Sequence, residues 1–208
     1  MHAERLTGIY AILDAAQGDV LAQLDDALAG GVRIVQYRCK TGPDAATLRA
    51  MHERARNAGA LVIVNDALDL LEHADGVHLG QEDLEMLERS PSVVASLRAH
   101  LRGKILGISC PDVRSAQRAA ELGADYLGVG SMYATGSKHD AGEPIGAEGV
   151  RAVVAAVALP VAAIGGITLE RIGEVRSTGA AMAAVITAIS RAKDRRSAAR
   201  ALVEAWAH

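Results

Sequence analysis

The chain has 208 residues, half of them hydrophobic, which provides a sizeable core for one domain or at most two small ones. Its formal charge of −3 and its aromatic content of 2% argue against a nucleic-acid binder, which would carry a basic surface and stacking side chains. No apolar stretch is long enough to predict a membrane span, and the first residues lack a signal-peptide pattern, so we expect a cytoplasmic protein.

Short apolar runs recur along the chain, and most of them follow a helical stretch that ends near glycine or alanine. Continuous apolar runs are typical of parallel strands buried on both faces, and glycine after a helix supplies a left-handed C-cap. Predicted strands cover residues 8–13, 32–35, 61–64, 76–79, 104–108, 125–129, 160–164 and 181–186. Predicted helices lie near residues 17–29, 44–58, 84–101, 112–122, 147–157, 168–178 and 194–206, with a short segment near 67–73.

Strict alternation of strand and helix predicts the α/β class. Eight such units point to a compact closed (β/α)8 TIM barrel. The alternative is an open doubly wound sheet, which usually carries a glycine-rich fingerprint after its first strand, and Leu13 to Ala16 contains none. No linker interrupts the series, so we expect residues 1–208 to form a single barrel domain. Barrel active sites lie where the strands end, which makes the residues after each strand the candidates.

Acidic residues follow two successive predicted strands. Asp66 follows the third strand and Asp83 follows the fourth. One acid at a strand end is more often a helix N-cap, but two carboxylates that meet at one mouth suit Mg²⁺, which usually also holds substrate phosphates. The pair predicts a magnesium site.

Basic residues follow the second predicted strand. Alternation places Gln36, Arg38 and Lys40 on one side, and Tyr37 and Cys39 on the other. Arginine offers a planar fork and lysine a point charge, which together suit a diphosphate. A glutamine in an apolar barrel strand needs a hydrogen-bond partner, which favours contact with a ligand.

The ends of the fourth and fifth strands carry other polar residues. Ser109 either binds a ligand or caps the helix that Asp112 could also start. His78 lies within a strand, and we expect it to pack in the core. Cys39 and Cys110 are too few and too far apart for a disulfide framework or a zinc site, so we expect two reduced thiols.

The longest irregular stretch, residues 130–146, follows the sixth strand. A loop of this length in a compact domain is usually functional, and its glycine content suggests a lid over substrate. The hydroxyls of Thr135 and Ser137 beside Lys138 suit an anion.

A second anion site is expected after the seventh and eighth strands. Gly165 and Gly166 precede a helix, where backbone N–H groups can approach a phosphate. Ile186 and Thr187 follow the eighth strand, and loops at these two positions form the recurrent phosphate site of barrels. Since no general acid or base stands out, two anion sites in one mouth suggest chemistry driven by diphosphate departure and charge neutralisation.

Seven of these motifs carry a family resemblance that spans nearly the whole chain. The sequence resembles the thiamine-phosphate synthase family in QYRCK from Gln36, VNDALDL from Val64, DGVHLGQEDL from Asp75, LGIS ending at Ser109, ATGSK ending at Lys138, IGGIT from Ile164 and VITAI from Val185. The resemblance implies a Mg²⁺-dependent transferase of thiamine biosynthesis. Such an enzyme joins hydroxymethylpyrimidine diphosphate to hydroxyethylthiazole phosphate after the diphosphate has left, and it releases pyrophosphate.

The resemblance also implies residue roles. The pyrimidine diphosphate would be held by Gln36, Arg38, Lys40, Asn65, Ser109 and Lys138; of these, Arg38, Ser109 and Lys138 would be catalytic. Asp66 and Asp83 would hold Mg²⁺, and the thiazole phosphate would be held by Thr135, Ser137, Gly166, Ile186 and Thr187. Cys39 stands where the family usually has an acid, and Ala134 and Ser137 replace its usual proline and second threonine.

Two other functions remain open on sequence. One is a related barrel that binds or isomerises thiazole phosphate without condensation, although that group tends to lose the acids and the lysine loop that Asp66, Asp83 and Lys138 preserve here. The other is a sugar-phosphate isomerase that uses only the strand-seven and strand-eight site. As partners we expect small-molecule substrates and neither nucleic acid nor membrane, and a homo-oligomer is compatible with the sequence.

Overall fold

Eight parallel strands form a closed barrel in chain order, in a computed structural model that describes residues 3–82, 97, 99, 101–136 and 143–208. Each strand pairs with the next, and the eighth pairs with the first through Gly8↔Met182 and Ala11↔Val185. The strands are β1 (Gly8–Asp14), β2 (Ile34–Arg38), β3 (Leu61–Asn65), β4 (Gly76–Leu79), β5 (Ile105–Cys110), β6 (Tyr126–Val129), β7 (Val161–Ile164) and β8 (Met182–Val185).

Helices surround this barrel. Among the described residues the α-helices are α1 (Val20–Ala29), α2 (Ala45–Asn57), α3 (Val113–Glu121), α4 (Gly146–Ala156), α5 (Ile172–Ser177), α6 (Thr187–Ser190) and α7 (Arg195–Ala207). Short 3₁₀ segments cover Ala3–Arg5, Ala15–Gln17, Leu68–His73 and Leu169–Arg171. In the described part of the chain, no helix has the length and apolar character that a membrane crossing requires.

Aspartates begin four of the helices. Asp44 accepts from the backbone N–H of Thr47 at the start of α2, at 2.8 Å, and Asp112 accepts from that of Ser115 at the start of α3, also at 2.8 Å. Asp19 and Asp194 cap α1 and α7 in the same way. These bonds satisfy N–H groups that have no partner within the helix. They favour the charged carboxylate, and the Thr47 and Ser115 N–H groups therefore lower the pKa of Asp44 and Asp112.

Alternate residues of each strand face opposite sides, which produces two separate hydrophobic clusters. The outer cluster lies between strands and helices and includes Val62, Val77 and Leu106. The inner cluster fills the barrel and contains Leu6, Tyr10, Ile12, Ile34, Leu61, Ile63, Ile105, Tyr126, Ala162, Met182 and Ala184. The barrel interior is thus a packed core rather than a channel, as this fold requires.

Two glycines make room for large rings inside the barrel. A Cβ on Gly107 of β5 would lie 2.1 Å from Cζ of Tyr126, and one on Gly128 of β6 would lie 2.9 Å from Cε1 of His78. Such contacts are far closer than packed carbon atoms allow. The interior therefore admits the rings of Tyr126 and His78 only because these strand positions carry no side chain.

The predicted fold class and the (β/α)8 barrel are confirmed, with all eight strands in the expected order. The predicted end of β2 was wrong: the strand continues through Arg38, because Tyr37 pairs with Val64 of β3 and Arg38 with Asp14 of β1. The short helix α6 was not predicted. The predicted helix near 84–101 lies almost entirely outside the described residues.

We expect Gly107→Ala to lower the free energy of unfolding by at least about 2 kcal/mol, because the fully buried ring of Tyr126 has nowhere to move. Gly173→Ala is the matched control, since its Cβ would enter open space on α5 and should be neutral or stabilising by up to about 1 kcal/mol. Urea unfolding of both variants measures the difference. Equal midpoints for the two variants would contradict the proposed packing.

Candidate active site

Two adjoining cavities open at the carboxyl ends of the strands. The first, named the barrel cavity, has about 770 Å³ of space including its open mouth, and the second, the loop cavity, about 900 Å³. Residues that line the barrel cavity include Tyr10, Ile12, Gln36, Arg38, Asn65, Asp66, His78 and Gly80. Residues that line the loop cavity include Gln81, Pro111, Ser131, Thr135, Gly165, Gly166, Ile167 and Thr187. Their common wall consists of Ser109, Gly128, Ile164, Ala184 and Ile186.

Arg38 is the principal cation of the barrel cavity. Its Nη1 donates to Oδ2 of Asp14, the last residue of β1, and both side chains are mostly buried. Oδ1 of Asp14 also accepts from the backbone N–H of Ala16 at 2.9 Å, which fixes the carboxylate. A guanidinium has five N–H donors in a rigid fork, so the bond to Asp14 orients the group and leaves donors for a second anion.

Asp66 presents its carboxylate one residue beyond β3. Its φ of 60° places it in the left-handed region, which aspartate and asparagine tolerate better than most residues. Its backbone N–H donates to the carbonyl oxygen of His78 at 2.9 Å, which attaches this turn to β4. The side-chain amide of Asn65 donates to Oδ2 of Asp66 at 2.5 Å. Both side chains line the barrel cavity with Arg38.

The donor chemistry at this mouth suits a hard cation. Within the described residues, no three His, Cys, Asp or Glu side chains cluster as a protein-built metal cage would require. Mg²⁺ is usually bound by one or two carboxylates and completes its shell with water and substrate phosphates. The oxygen donors of Asp66 fit such a site, whereas the predicted second ligand, Asp83, lies outside the described residues.

The loop after β7 approaches the loop after β6 very closely. Gly165 and Gly166 have φ values of 103° and 63°, which side chains rarely adopt. A Cβ on Gly165 would lie 2.1 Å from Oγ of Ser131, and one on Gly166 would lie 2.7 Å from the carbonyl oxygen of Ala134. The double glycine therefore permits backbone to line the loop cavity where a side chain would block it.

Tyr133 and Arg171 clasp these two loops together. The guanidinium of Arg171 lies 4.3 Å from the centroid of the Tyr133 ring, and its Nη1 donates to the carbonyl oxygen of Gly166 at 2.6 Å. The hydroxyl of Tyr133 donates to Glu174 of α5 at 2.6 Å. Burial and the neighbouring Glu174 carboxylate raise the pKa of Tyr133 to about 12, so the hydroxyl remains a donor.

A chain of five polar side chains crosses the barrel, and four of them line the barrel cavity. Nε2 of Gln36 donates to the hydroxyl of Tyr10 at 2.8 Å, and the hydroxyls of Tyr10 and Tyr126 lie 2.8 Å apart. Nδ1 of His78 lies 2.9 Å from the Tyr126 hydroxyl, and its Nε2 lies 2.9 Å from Oγ of Ser109. Burial raises the pKa of Tyr10 and that of Tyr126 well above the usual value for a tyrosine.

The structure brings most of the predicted site residues together. Those that line one or both cavities are Gln36, Arg38, Asn65, Asp66, Ser109, Thr135, Gly166, Ile186 and Thr187. Lys40 lies in the exposed turn after β2 and lines neither cavity. Asp83, Ser137 and Lys138 lie outside the described residues. Their roles, and those of the lining residues, stay predictions.

Two expectations at the mouth are resolved by the contacts. Ser109 does not cap α3, because Asp112 does so and Ser109 bonds to His78 instead. The ring of His78 packs inside the barrel against Tyr126, as expected, with the ring centroids 5.5 Å apart. It is only half-buried, however, and it also lines the barrel cavity and bonds at both nitrogens. Strand alternation places His78 on the inward face of β4, opposite Gly107 of β5, but does not distinguish an inward side chain that packs from one that lines a cavity.

Sequence reasoning also missed Asp14 and the two interior tyrosines. Asp14 ends a predicted strand as Asp66 does, so the same strand-end rule would have found it. Tyr10 shares an inward face with Ile12, and Tyr126 faces Gly107, the position that vacates space for its ring. A search for polar side chains at inward strand positions would have identified both tyrosines.

A closed (β/α)8 barrel whose mouth combines an anchored arginine, a strand-end carboxylate and a double-glycine loop defines a phosphate-binding barrel enzyme. The family model described as thiamine monophosphate synthase matches residues 9–189 of this chain. The chain therefore belongs to the thiamine monophosphate synthase family, and it is a transferase that makes thiamine phosphate.

Individual relatives agree with this assignment. The thiamine-phosphate synthase of Moorella thermoacetica is 48% identical over 185 residues, which cover 86% of this chain and 84% of that protein. The thiamine-phosphate synthase of Caldivirga maquilingensis is 41% identical, with 96% of each chain covered. The solved thiamine phosphate pyrophosphorylase of Pyrococcus furiosus superposes with a TM-score of 0.86 at 33% identity, covering 97% of this chain and 96% of that one. The non-condensing alternative is not favoured by these relatives.

We expect Asp14→Asn to lower the free energy of unfolding by about 2 kcal/mol, because it leaves the mostly buried Arg38 without its counter-charge. Asparagine keeps the oxygen that accepts from Ala16, so the variant tests the ion pair alone. The control is Asp25→Asn, whose partner Arg54 is exposed, and which should cost less than about 1 kcal/mol. Urea unfolding compares the two, and equal losses would show that Asp14 does not act through Arg38.

Proposed function

We propose that the two cavities hold the two substrates of one condensation. The barrel cavity takes hydroxymethylpyrimidine diphosphate, and the loop cavity takes hydroxyethylthiazole phosphate. The observation that carries this proposal is their common wall at Ser109 and Ile186, because two molecules that react must meet across a shared boundary. An isomerase would need one cavity only.

The diphosphate is held by positive charge at the mouth of the barrel cavity. Arg38, oriented by Asp14, supplies bidentate donors, and the family resemblance adds Lys40, Asn65 and Lys138. Mg²⁺ would be held by Asp66 and Asp83, and when bound it would neutralise charge on the departing diphosphate. Each of these contacts strengthens as negative charge collects on the leaving group, which is what accelerates departure.

The thiazole phosphate is held by backbone and hydroxyl groups in the loop cavity. Gly166 lies on the loop after β7, and Thr187 begins α6 just after β8; these are the recurrent phosphate positions of this fold. Thr135 and Ile186 line the same cavity, and Ser137 is added by the family motif. Because Arg171 fixes the carbonyl of Gly166, the loop keeps its shape before the phosphate arrives.

The reaction requires no general base from the protein. The bond between the pyrimidine methylene carbon and the diphosphate oxygen breaks, and the electron pair leaves with pyrophosphate. The thiazole nitrogen lone pair then forms the new bond to that carbon. Gln36 and Ser109 would hold the pyrimidine ring during this interval, and apolar residues such as Ile12 and Ile164 would limit access of water to the cation.

We also propose that residues 1–208 fold as one barrel domain that works in the cytoplasm on small molecules. Both cysteines are free, which suits a reducing compartment. A homo-oligomer is compatible with the fold and is tested by the mass of the protein in solution.

The direct test supplies purified protein with Mg²⁺ and both substrates and follows thiamine phosphate by fluorescence after oxidation to thiochrome. We expect product that requires both substrates and disappears with a chelator. Binding of thiazole phosphate in calorimetry without any product would instead move the protein to the non-condensing barrels.

We expect Asp66→Ala and Asp83→Ala each to slow Mg²⁺-dependent turnover by at least about tenfold, because each removes a contact to the cation that stabilises the leaving diphosphate. Asp69→Ala is the control, since Asp69 is exposed on the 3₁₀ segment and lines neither cavity. Initial rates across a Mg²⁺ titration measure the effect. Full turnover of both variants at saturating Mg²⁺ would refute the metal assignment.

Lys138→Ala should slow product formation and leave the melting temperature unchanged, because the resemblance assigns Lys138 to the diphosphate rather than to the core. Lys193→Ala, an exposed lysine between α6 and α7, controls for loss of surface charge. Single-turnover rates and thermal melts are compared. Parallel losses of stability and activity would make Lys138 a structural residue.

A further inference from the structure

The hydrogen-bonded chain inside the barrel has a direction. Its five members are Gln36, Tyr10, Tyr126, His78 and Ser109, joined by four contacts of 2.8–2.9 Å. Gln36, Tyr10 and Tyr126 are at most 2% exposed, so water does not compete for these contacts. The rings of Tyr10 and Tyr126 also meet edge to face, with centroids 5.8 Å apart, which holds their hydroxyls in place.

Each contact in such a chain requires one hydrogen atom, so the direction of the chain follows from which atom of the Gln36 amide faces Tyr10. An amide nitrogen only donates, so the Gln36 contact uses an amide hydrogen and Tyr10 accepts it. If both buried hydroxyl hydrogens are to be paired, Tyr10 gives its own hydrogen to Tyr126, and Tyr126 gives its hydrogen to Nδ1 of His78. Both hydroxyls keep their protons because burial raises the pKa of each tyrosine.

His78 and Ser109 complete the count. In this direction Nδ1 of His78 accepts, so the neutral ring carries its hydrogen on Nε2 and donates it to Oγ of Ser109. The Ser109 hydroxyl already accepts from His78, so its own hydrogen is directed away from the chain. Ser109 lies on the common wall of the two cavities, so that hydrogen is available to a ligand in either of them.

We propose that Tyr10, Tyr126 and His78 are positioning residues that fix His78 with its proton on Nε2 and thereby make Ser109 a hydrogen-bond donor to the substrate ring. The proposal rests on the proposed function only for the identity of that ring. A ring that offers an unprotonated nitrogen to Ser109 would be preferred, because it accepts the serine hydrogen. A ring with an N–H at that position could use only the remaining lone pair of Oγ and would leave that hydrogen unpaired. An aminopyrimidine, whose ring nitrogens both accept, meets this requirement, whereas the corresponding pyrimidinone carries a ring N–H.

If the hydrogen bonds of this chain ran in the opposite direction, they would predict the other tautomer of His78. If the amide of Gln36 were turned so that its oxygen accepted from Tyr10, the hydrogens would run from Ser109 towards Gln36. His78 would then carry its proton on Nδ1, and Ser109 would offer only a lone pair to the substrate. The two directions therefore differ at an atom that spectroscopy can observe.

The first experiment is nitrogen NMR of the histidine side chains in the substrate-free protein, with the His78 signal assigned by its loss in His78→Gln. We expect a protonated Nε2 and a bare Nδ1 in the native chain. Tyr126→Phe removes the donor to Nδ1 and should produce a mixture of both tautomers. A native chain with the proton on Nδ1, or a tautomer unaffected by Tyr126→Phe, would overturn the proposal whatever reaction the enzyme catalyses.

The second experiment compares kcat/KM for the aminopyrimidine diphosphate and for the matching pyrimidinone diphosphate. We expect Tyr126→Phe and Tyr10→Phe to lower the preference for the aminopyrimidine by about tenfold, the value of one well-oriented hydrogen bond. Tyr37→Phe is the matched control, because its hydroxyl bonds to Asp44 at 3.3 Å away from both cavities. If kcat/KM fell equally for the two substrates, the tyrosines would only support the fold, and the proposal would be refuted.

The two experiments distinguish a failure of the proposed function from a failure of the positioning role. If no variant, including the native chain, makes thiamine phosphate, the proposed function fails while the NMR result still decides the direction of the chain. If the native chain is active but its tautomer is the opposite one, the function stands and the positioning role fails.

Discussion

The contact between the hydroxyls of Tyr10 and Tyr126 is the interaction on which the mouth of this barrel depends. A buried hydroxyl without a partner costs about 1–3 kcal/mol, so the two rings must stay paired once they occupy the interior. Gly107 provides the space that allows the pairing. Because the pair links β1 to β6, it connects Gln36 with the His78 and Ser109 end of the chain. The packing of the barrel interior and the residues that line its mouth are therefore connected by one hydrogen-bonded chain.

Two groups at the mouth are fixed by residues that line neither cavity. Asp14 orients Arg38 towards the barrel cavity, and Arg171 fixes the carbonyl of Gly166 beside the loop cavity. Anchoring of this kind costs conformational entropy during folding rather than during binding. It also explains how a chain with a net charge of −3 can bind two anions, because local geometry rather than overall charge determines the field in a cleft.

The sequence predicted the barrel well because parallel strands buried on both faces leave continuous apolar runs, and the aspartate caps mark where helices begin. It predicted β2 poorly because the strand ends in polar residues, and only pairing with β1 and β3 shows that Gln36 and Arg38 still belong to it. The position of His78 at the cavity was not predicted, because a histidine in an apolar run has the same pattern whether it only packs or also lines a cavity. Its partners, Tyr126 and Ser109, lie 48 and 31 residues away, beyond any local signal.

The scarcity of aromatic residues has an optical consequence. The chain contains no phenylalanine, four tyrosines and one tryptophan. Three of the tyrosines belong to the interior chain or to the clasp between loops, namely Tyr10, Tyr126 and Tyr133, whereas Trp206 is half-buried on α7. Tyrosine absorbance therefore reports mainly on the mouth of the barrel, and tryptophan emission reports on the packing of the last helix. The two kinds of ring therefore report on different parts of the fold when the protein unfolds.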